Sequence, residues 1–332
     1  MIRVGLLGTG RIGRLHAGTI ASHSESTLYA VSDIDSGSAN ELAVQYGAAV
    51  KSSEEIISDP NVDAILIATS TDTHSDFIEK ASLAGKSVFC EKPVDLSLSR
   101  AKECLKKVSA ANNPIMIGFN RRFDPNFAQL KKSLDDSEIG KSELLTITSF
   151  DPAPPPVSYV KTSGGLYRDM MIHDFDLSNF IMDELPVTIS AVGQSLINPE
   201  IGAAGDVDTA VVTMTYANGK IAIIKNSRRA AYGYDQRIEI LGSEGLLQAE
   251  NIVENSVVKS TKAGVLSAKP MYFFLERYMS AYTAEWDAFI KSMKENTTVP
   301  VTLEDGVAAL AMAEAATLSQ SSGKSIQLKE VL

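Results

Sequence analysis

Gly8-Thr9-Gly10-Arg11-Ile12-Gly13 follows a short apolar run and opens a helix-like stretch. Glycines at this spacing permit a tight turn, close approach of backbone to a pyrophosphate, and close packing of helix on strand, while the helix N-terminus offers N–H groups and partial positive charge. The chemistry implied is the holding of a dinucleotide by all six residues. Asp33 lies about twenty residues after Gly13, at the end of the second strand-like run, where a carboxylate accepts hydrogen bonds from the adenosine ribose hydroxyls. The same charge repels a 2′-phosphate, so NAD rather than NADP is the expected cofactor, with Asp35 a second acid able to share the role. Ala68-Thr69-Ser70-Thr71-Asp72-Thr73-His74 ends a later strand, and Thr69, Ser70, Thr71 and His74 are expected to line the cofactor. Thr73 alternatively reads as a helix N-cap.

Two further clusters could move protons. Glu91-Lys92-Pro93 follows the strand ending at Cys90, and Asp169 stands four residues before His173 at the start of a helix. Oxidising a secondary alcohol requires a base for the hydroxyl proton while hydride leaves, and a histidine titrating near neutrality suits that task. His173 is the expected base. Asp169, one helical turn earlier on the same face, would accept a hydrogen bond from an adjacent hydroxyl and favour protonated His173. Lys92 would stabilise negative charge on the reacting oxygen, and Glu91 and Lys92 are both expected to border the cofactor. Asp169, His173 and Asp176 also have metal-ligand spacing, but His16, His23 and His74, the other histidines, fall in the first half, so no metal is expected. Cys90 and Cys104 lack any metal or redox spacing and read as buried thiols.

The elements that must position these residues change character along the chain. Up to about residue 119, apolar runs at Arg3–Leu7, Leu28–Ser32, Ala64–Ala68, Ser87–Cys90 and Ile115–Gly118 alternate with helix-like stretches at about 11–23, 38–46, 74–84 and 98–111. Strands apolar on both faces and separated by helices call for a covered parallel sheet, hence an α/β fold with an N-terminal Rossmann domain at 1–119. From 120 to 332 a helix through Lys132 precedes strand-like runs at Leu144–Phe150, Thr188–Val192, Thr209–Tyr216, Ile221–Asn226, Gln236–Leu241 and Gly245–Ala249. Turn signals at Ala217-Asn218-Gly219 and Gly242-Ser243 suit hairpins. The second domain is expected to be α+β with a large, mostly antiparallel open sheet, a loop at Pro152–Pro156, and a C-terminal helix at about 303–320 that could pack back on the first domain.

Composition narrows the class. With 332 residues, 44% hydrophobic, 22% charged and a net charge of −10, the chain reads as a globular protein with no footprint for nucleic acid or anionic lipid. No apolar run is long enough for a membrane span, and the N-terminus opens straight into a strand without a leader pattern, so a cytoplasmic location is expected.

The fingerprint, Asp33, the Thr-Asp-Thr-His stretch, Glu91-Lys92-Pro93 and the Asp169/His173 pair together resemble the glucose–fructose oxidoreductase, inositol dehydrogenase and rhizopine catabolism family. The resemblance spans nearly the whole chain. It implies a Rossmann domain followed by an α/β domain whose open sheet packs in homo-oligomers, commonly tetramers. Asp151-Pro152-Ala153-Pro154-Pro155-Pro156, Ser163-Gly164-Gly165-Leu166-Tyr167-Arg168-Asp169 and Tyr232-Gly233-Tyr234-Asp235 look like segments of the members that act on inositols. They imply a small cyclic polyol as substrate, myo-inositol first, with Arg121, Asp151 and Tyr234, and secondarily Tyr232, meeting its other hydroxyls. Phe150 departs from the pattern, which has a basic residue there. The competing readings are a dehydrogenase of another inositol isomer or an aldose, and a regulator that binds NAD without catalysis. Lys92, Asp169 and His173 standing together favour catalysis.

Overall fold

The computed structural model describes residues 1–332. The chain divides into two compact units, Met1–Asn120 with Tyr282–Leu310, and Arg121–Ala281 with Ala311–Leu332. The second of these first-unit pieces is the departure from a single boundary near 119: the chain returns to complete the first unit.

The first unit runs β1 (Ile2–Leu7), α1 (Arg11–Ser22), β2 (Ser26–Ser32), α2 (Ser36–Tyr46), β3 (Ala49–Val50), α3 (Ser53–Ser58), β4 (Ala64–Ile67), α4 (His74–Leu83), β5 (Ser87–Glu91), α5 (Leu98–Val108) and β6 (Ile115–Gly118). The strands form one sheet in the order β3-β2-β1-β4-β5-β6, parallel throughout. β4 and β5 are buried along their whole lengths, as strands covered on both faces must be. The short β3 and α3 were not expected. α3 begins at a capping box in which Ser52 accepts from the Glu55 N–H and the Glu55 carboxylate accepts from Ser52, a signal present in the sequence as Ser-Ser-Glu-Glu.

The second unit follows with α6 (Pro125–Asp135), β7 (Ser142–Phe150), α7 (Val157–Ser163), α8 (Gly165–Asp169), α9 (Ile172–Met182), β8 (Thr188–Gln194), α10 (Pro199–Ala203), β9 (Thr209–Thr215), β10 (Ile221–Ser227), β11 (Asp235–Gly242), β12 (Gly245–Ala249), β13 (Val258–Thr261) and β14 (Gly264–Ser267). Then come α11 (Phe274–Arg277), α12 (Met279–Glu295) and α13 (Leu303–Ser322), of which the stretch Tyr282–Leu310 belongs to the first unit, and β15 (Ile326–Gln327). The large sheet has the order β12-β11-β7-β10-β9-β8-β15 and is antiparallel except between β7 and β10. Its strands alternate: in β9, Ala210, Val212 and Met214 are buried while Val211, Thr213 and Thr215 are exposed, so one face is core and the other open. The hairpins at Asn218 and Ser243 form as expected.

α12 was also unanticipated. Tyr282, Glu285, Trp286, Phe289 and Ile290 recur at helical spacing and are buried. In the first unit the Trp286 and Phe289 rings pack with Phe89 of β5 at centroid separations of 5.8 and 5.6 Å, and the Trp286 indole N–H donates to Ser26 Oγ at 3.1 Å. Burying side chains of this size stabilises by about 1.5–3 kcal/mol each. No helix is long and apolar enough to cross a membrane.

Candidate active site

The turn after β1 is built as its sequence requires. Gly8 has φ +96°, and a Cβ there would lie 2.3 Å from the Ala68 carbonyl oxygen. A Cβ on Gly13 would lie 2.0 Å from the Gly8 carbonyl oxygen, whereas one on Gly10 meets nothing within 4 Å. Gly10 also serves as the N-cap of α1 without a side-chain cap, so the helix N-terminus faces open space. These features fit a dinucleotide pyrophosphate.

Asp33 sits at the end of β2 and accepts from the Thr9 N–H at 2.5 Å, the Thr9 hydroxyl at 3.0 Å and the Asp35 N–H at 2.9 Å. Partial burial pushes its carboxyl up, but the backbone donors from Thr9 and Asp35 outweigh that and hold it below the usual range. It is ionised at neutral pH, as discrimination against a 2′-phosphate requires. Asp35 has other work: its carboxylate caps α2 by accepting from Gly37 and Ser38 N–H groups at 2.9 and 3.2 Å.

Past β4, the Thr69 and Thr73 hydroxyls lie 2.7 Å apart, and Thr73 also donates to the Ser70 carbonyl at 2.8 Å rather than capping α4. His74, expected to line the cofactor, is buried, with Nδ1 2.8 Å from the Pro93 carbonyl and Nε2 3.1 Å from that of Thr69. Burial lowers its pKa despite these acceptors, and the neutral ring lies between the Thr69 and Pro93 carbonyls, donating to one of them. Both ring nitrogens thus face backbone carbonyls. Glu91 likewise turns inward, its Oε1 2.6 Å from His16 Nε2. Lys92, half-buried, follows it ahead of a cis bond to Pro93.

In the second unit, Asp169 and His173 do not share one helix. Asp169 ends α8 and His173 lies in the first turn of α9, with a break at Met170 and Met171 where the Met171 N–H reaches back to the Leu166 carbonyl at 2.9 Å. Both methionines keep right-handed helical dihedrals, so the interruption is a widened turn between two short helices. Asp169 Oδ1 accepts from the Tyr159 hydroxyl at 2.9 Å, and Oδ2 faces Arg228 Nη2 at 3.4 Å. Asp176, the third residue of the rejected metal spacing, pairs with Arg122 through Nε and Nη2 at 2.8 and 2.6 Å.

β7 and β10 run parallel, with Phe150 opposite Ser227, so Asp151 and Arg228 leave the sheet side by side. Removal from water pushes the Asp151 carboxyl up to about 6, against the opposing pull of the Arg228 and Arg121 guanidinium groups. Arg121, buried, donates to Asp174 at 2.6 Å and Ser149 at 3.0 Å, and its Nη2 faces the buried Tyr234 hydroxyl at 3.4 Å. Asp174 also accepts from Ser149 at 2.6 Å and Asn226 at 2.8 Å. Arg228 and Asp174 were missed by sequence reasoning. The signal for Arg228 was its place at the end of a strand-like run, but the register that sets it beside Asp151 is tertiary.

Tyr232 is half exposed, and its hydroxyl donates to Asp235 at 2.5 Å. The second unit thus gathers acids, guanidinium groups and tyrosines into clusters rich in hydrogen-bonding groups.

Two family models divide the chain: one for an oxidoreductase family's NAD-binding Rossmann fold matches residues 2–119, and one for an oxidoreductase family's C-terminal alpha/beta domain matches 131–328. An inositol 2-dehydrogenase of Rhizobium meliloti is 45% identical over 98% of this chain and 99% of its own. Among solved structures, a myo-inositol dehydrogenase of Corynebacterium glutamicum is 38% identical with a TM-score of 0.95, covering 99% of each chain. A scyllo-inositol dehydrogenase of Lactobacillus casei, with NAD(H) and scyllo-inositol bound, is 29% identical with a TM-score of 0.92, covering 99% of this chain and 98% of that one.

Proposed function

From the premise that this chain belongs to the glucose–fructose oxidoreductase, inositol dehydrogenase and rhizopine catabolism family of oxidoreductases, we propose that it oxidises a ring hydroxyl of a cyclic polyol with NAD, converting myo-inositol to 2-keto-myo-inositol. The observation that carries the substrate class is the full-length likeness to an inositol 2-dehydrogenase. The polar network around Asp151, Asp169, Arg228 and Tyr234 supports it, because a ring bearing a hydroxyl on every carbon needs many donors and acceptors at close quarters.

Gly8 to Gly13, Asp33 and the Thr69–Thr71 hydroxyls hold NAD, which when bound supplies the hydride acceptor. His173 takes the hydroxyl proton. Lys92 hydrogen-bonds the reacting oxygen and offsets its growing negative charge. Asp169 accepts from a neighbouring hydroxyl and stabilises His173 once protonated. Asp151 and Tyr234 meet further hydroxyls, and Arg121 holds Tyr234 and Asp174 in place. The protein works as a homotetramer in the cytoplasm.

The test is NADH formation with purified protein, NAD or NADP, and a panel of myo-inositol, scyllo-inositol, D-chiro-inositol, glucose and galactose. Turnover of myo-inositol with NAD is expected. Preference for another ring moves the substrate and keeps the class, whereas NAD binding with no turnover of any of the five favours a regulator. His173→Asn is expected to lower kcat by about 10²–10⁴ with NAD binding intact; retained turnover would remove His173 as the base.

A further inference from the structure

The first unit buries three titratable side chains against one another, and none of the roles above uses them as a group. His16 comes from α1, Glu91 from the end of β5 and Glu285 from α12. One ligand atom from each lies within 4.8 Å of the others. His16 Nε2 and Glu91 Oε1 are in direct contact at 2.6 Å. Glu285 is fully buried, and neither of its carboxyl oxygens has a hydrogen-bond partner. The surroundings are aromatic: the His16 ring meets Phe89 and Tyr282 edge-on at 5.3 and 5.6 Å.

Two carboxylates this close in a dry setting cannot both be ionised. Burial pushes the Glu285 carboxyl well up, and the charge on Glu91 pushes it further. A proton on Glu285 removes that repulsion. A metal ion is the other way to neutralise the group. However, two ligands on one zinc, at bond lengths of about 2.0–2.2 Å, stand well over 3 Å apart in a tetrahedral shell. The His16–Glu91 contact of 2.6 Å is instead that of a short charge-assisted hydrogen bond.

We propose that Glu285 is held as the neutral acid facing the His16–Glu91 pair, and that the three side chains form a buried brace that fixes the end of β5 and so positions Lys92, the next residue. The positioning half rests on Lys92 being the group that meets the reacting oxygen. The His16–Glu91 hydrogen bond ties the helix after the cofactor turn to the strand end that carries this lysine, and Glu285, from the returning helix, packs within 4.8 Å of both. Glu285 touches no reacting atom. It acts through Glu91.

The experiment compares wild type with Glu285→Ala and Glu285→Gln as purified full-length proteins. Glutamine has the shape, neutrality and donor capacity of the protonated acid. Glu285→Ala is expected to lower kcat by about tenfold, as small misplacements of a reacting group do, with KM for NAD changed less than about twofold. Glu285→Gln is expected to restore kcat to within about twofold of wild type. The infrared spectrum of wild type should carry a carboxylic-acid C=O band that Glu285→Gln lacks. Loss in Glu285→Gln as deep as in Glu285→Ala, absence of that band, or one equivalent of transition metal that Glu285→Gln fails to retain would each overturn the proposal. Lys92→Ala separates the two layers: retained turnover there would overturn the positioning half together with the reading it rests on, while the infrared band tests the buried acid alone.

Discussion

Asp151 leaves the sheet beside Arg228, and two opposed influences act on its carboxyl: loss of water, which favours the acid, and the Arg228 and Arg121 guanidinium groups, which favour the anion. Water wins, and the group titrates near 6 instead of 3.8. Because folding raises this pKa, ionisation opposes the fold. The penalty is absent below about 3.8, grows as pH rises toward about 6 and is constant above. Asp151→Asn, which mimics the neutral acid, is therefore expected to match wild type in stability near pH 4 and to exceed it by about 1–3 kcal/mol above pH 7, the upper figure being the full linkage value and the lower allowing for residual hydration. Urea unfolding of both proteins between about pH 4 and pH 8 measures the gap. A gap that does not vary with pH would make Asp151 an ordinary solvated acid. The same variant should raise KM for the polyol, since the asparagine amide replaces an acceptor oxygen with a donor.

At the scale of elements, the cofactor turn separates what glycine does for folding from what it does for binding. A Cβ at Gly13 would run into the Gly8 carbonyl, so any side chain there strains the protein itself; one at Gly10 would meet nothing within 4 Å. Gly10→Ala is thus expected to fold with an unchanged melting temperature while weakening NAD by about tenfold or more, about 1.4 kcal/mol. Gly13→Ala should lower both. Calorimetric titration with NAD and thermal unfolding check this, and a Gly10→Ala protein that binds NAD normally would place the pyrophosphate elsewhere. This turn was legible in sequence because its chemistry is local: glycine spacing, a preceding strand and a following helix. The parallel strands other than the short, exposed β3 were equally legible from continuous apolar runs. What could not be read depends on contacts far apart in the chain. The four-residue spacing of Asp169 and His173 suggested one helix, but the backbone breaks at Met170 and Met171, which no glycine or proline marks. Arg228 needs the β7–β10 register, and the partners of Glu285 come from α1 and β5, nearly two hundred residues or more earlier.

For the whole molecule, the large sheet presents a face that its own unit leaves uncovered. Val192 pairs with Val211 across β8 and β9, and both side chains are exposed, at 70% and 44%. Lys225 is the β10 partner of Val211, and Ile221, 41% exposed, lies four residues before it along that strand. Side chains two and four residues apart on a strand share a face, so these groups form one continuous surface with an apolar centre and a basic member. Apolar centres of this kind mark contacts between chains, and in a closed symmetric assembly the same patch serves both partners. Placing like charges at the centre of a self-matching patch sets them against each other in every copy of the interface. Val211→Glu, reinforced by Val192→Glu, is therefore expected to break the proposed homotetramer into smaller species by sedimentation, while each chain keeps its secondary structure, because neither valine belongs to the buried face. Salt should partly restore association by screening the introduced charges. A doubly substituted protein that still sediments as a tetramer would move the interface off this face of the sheet.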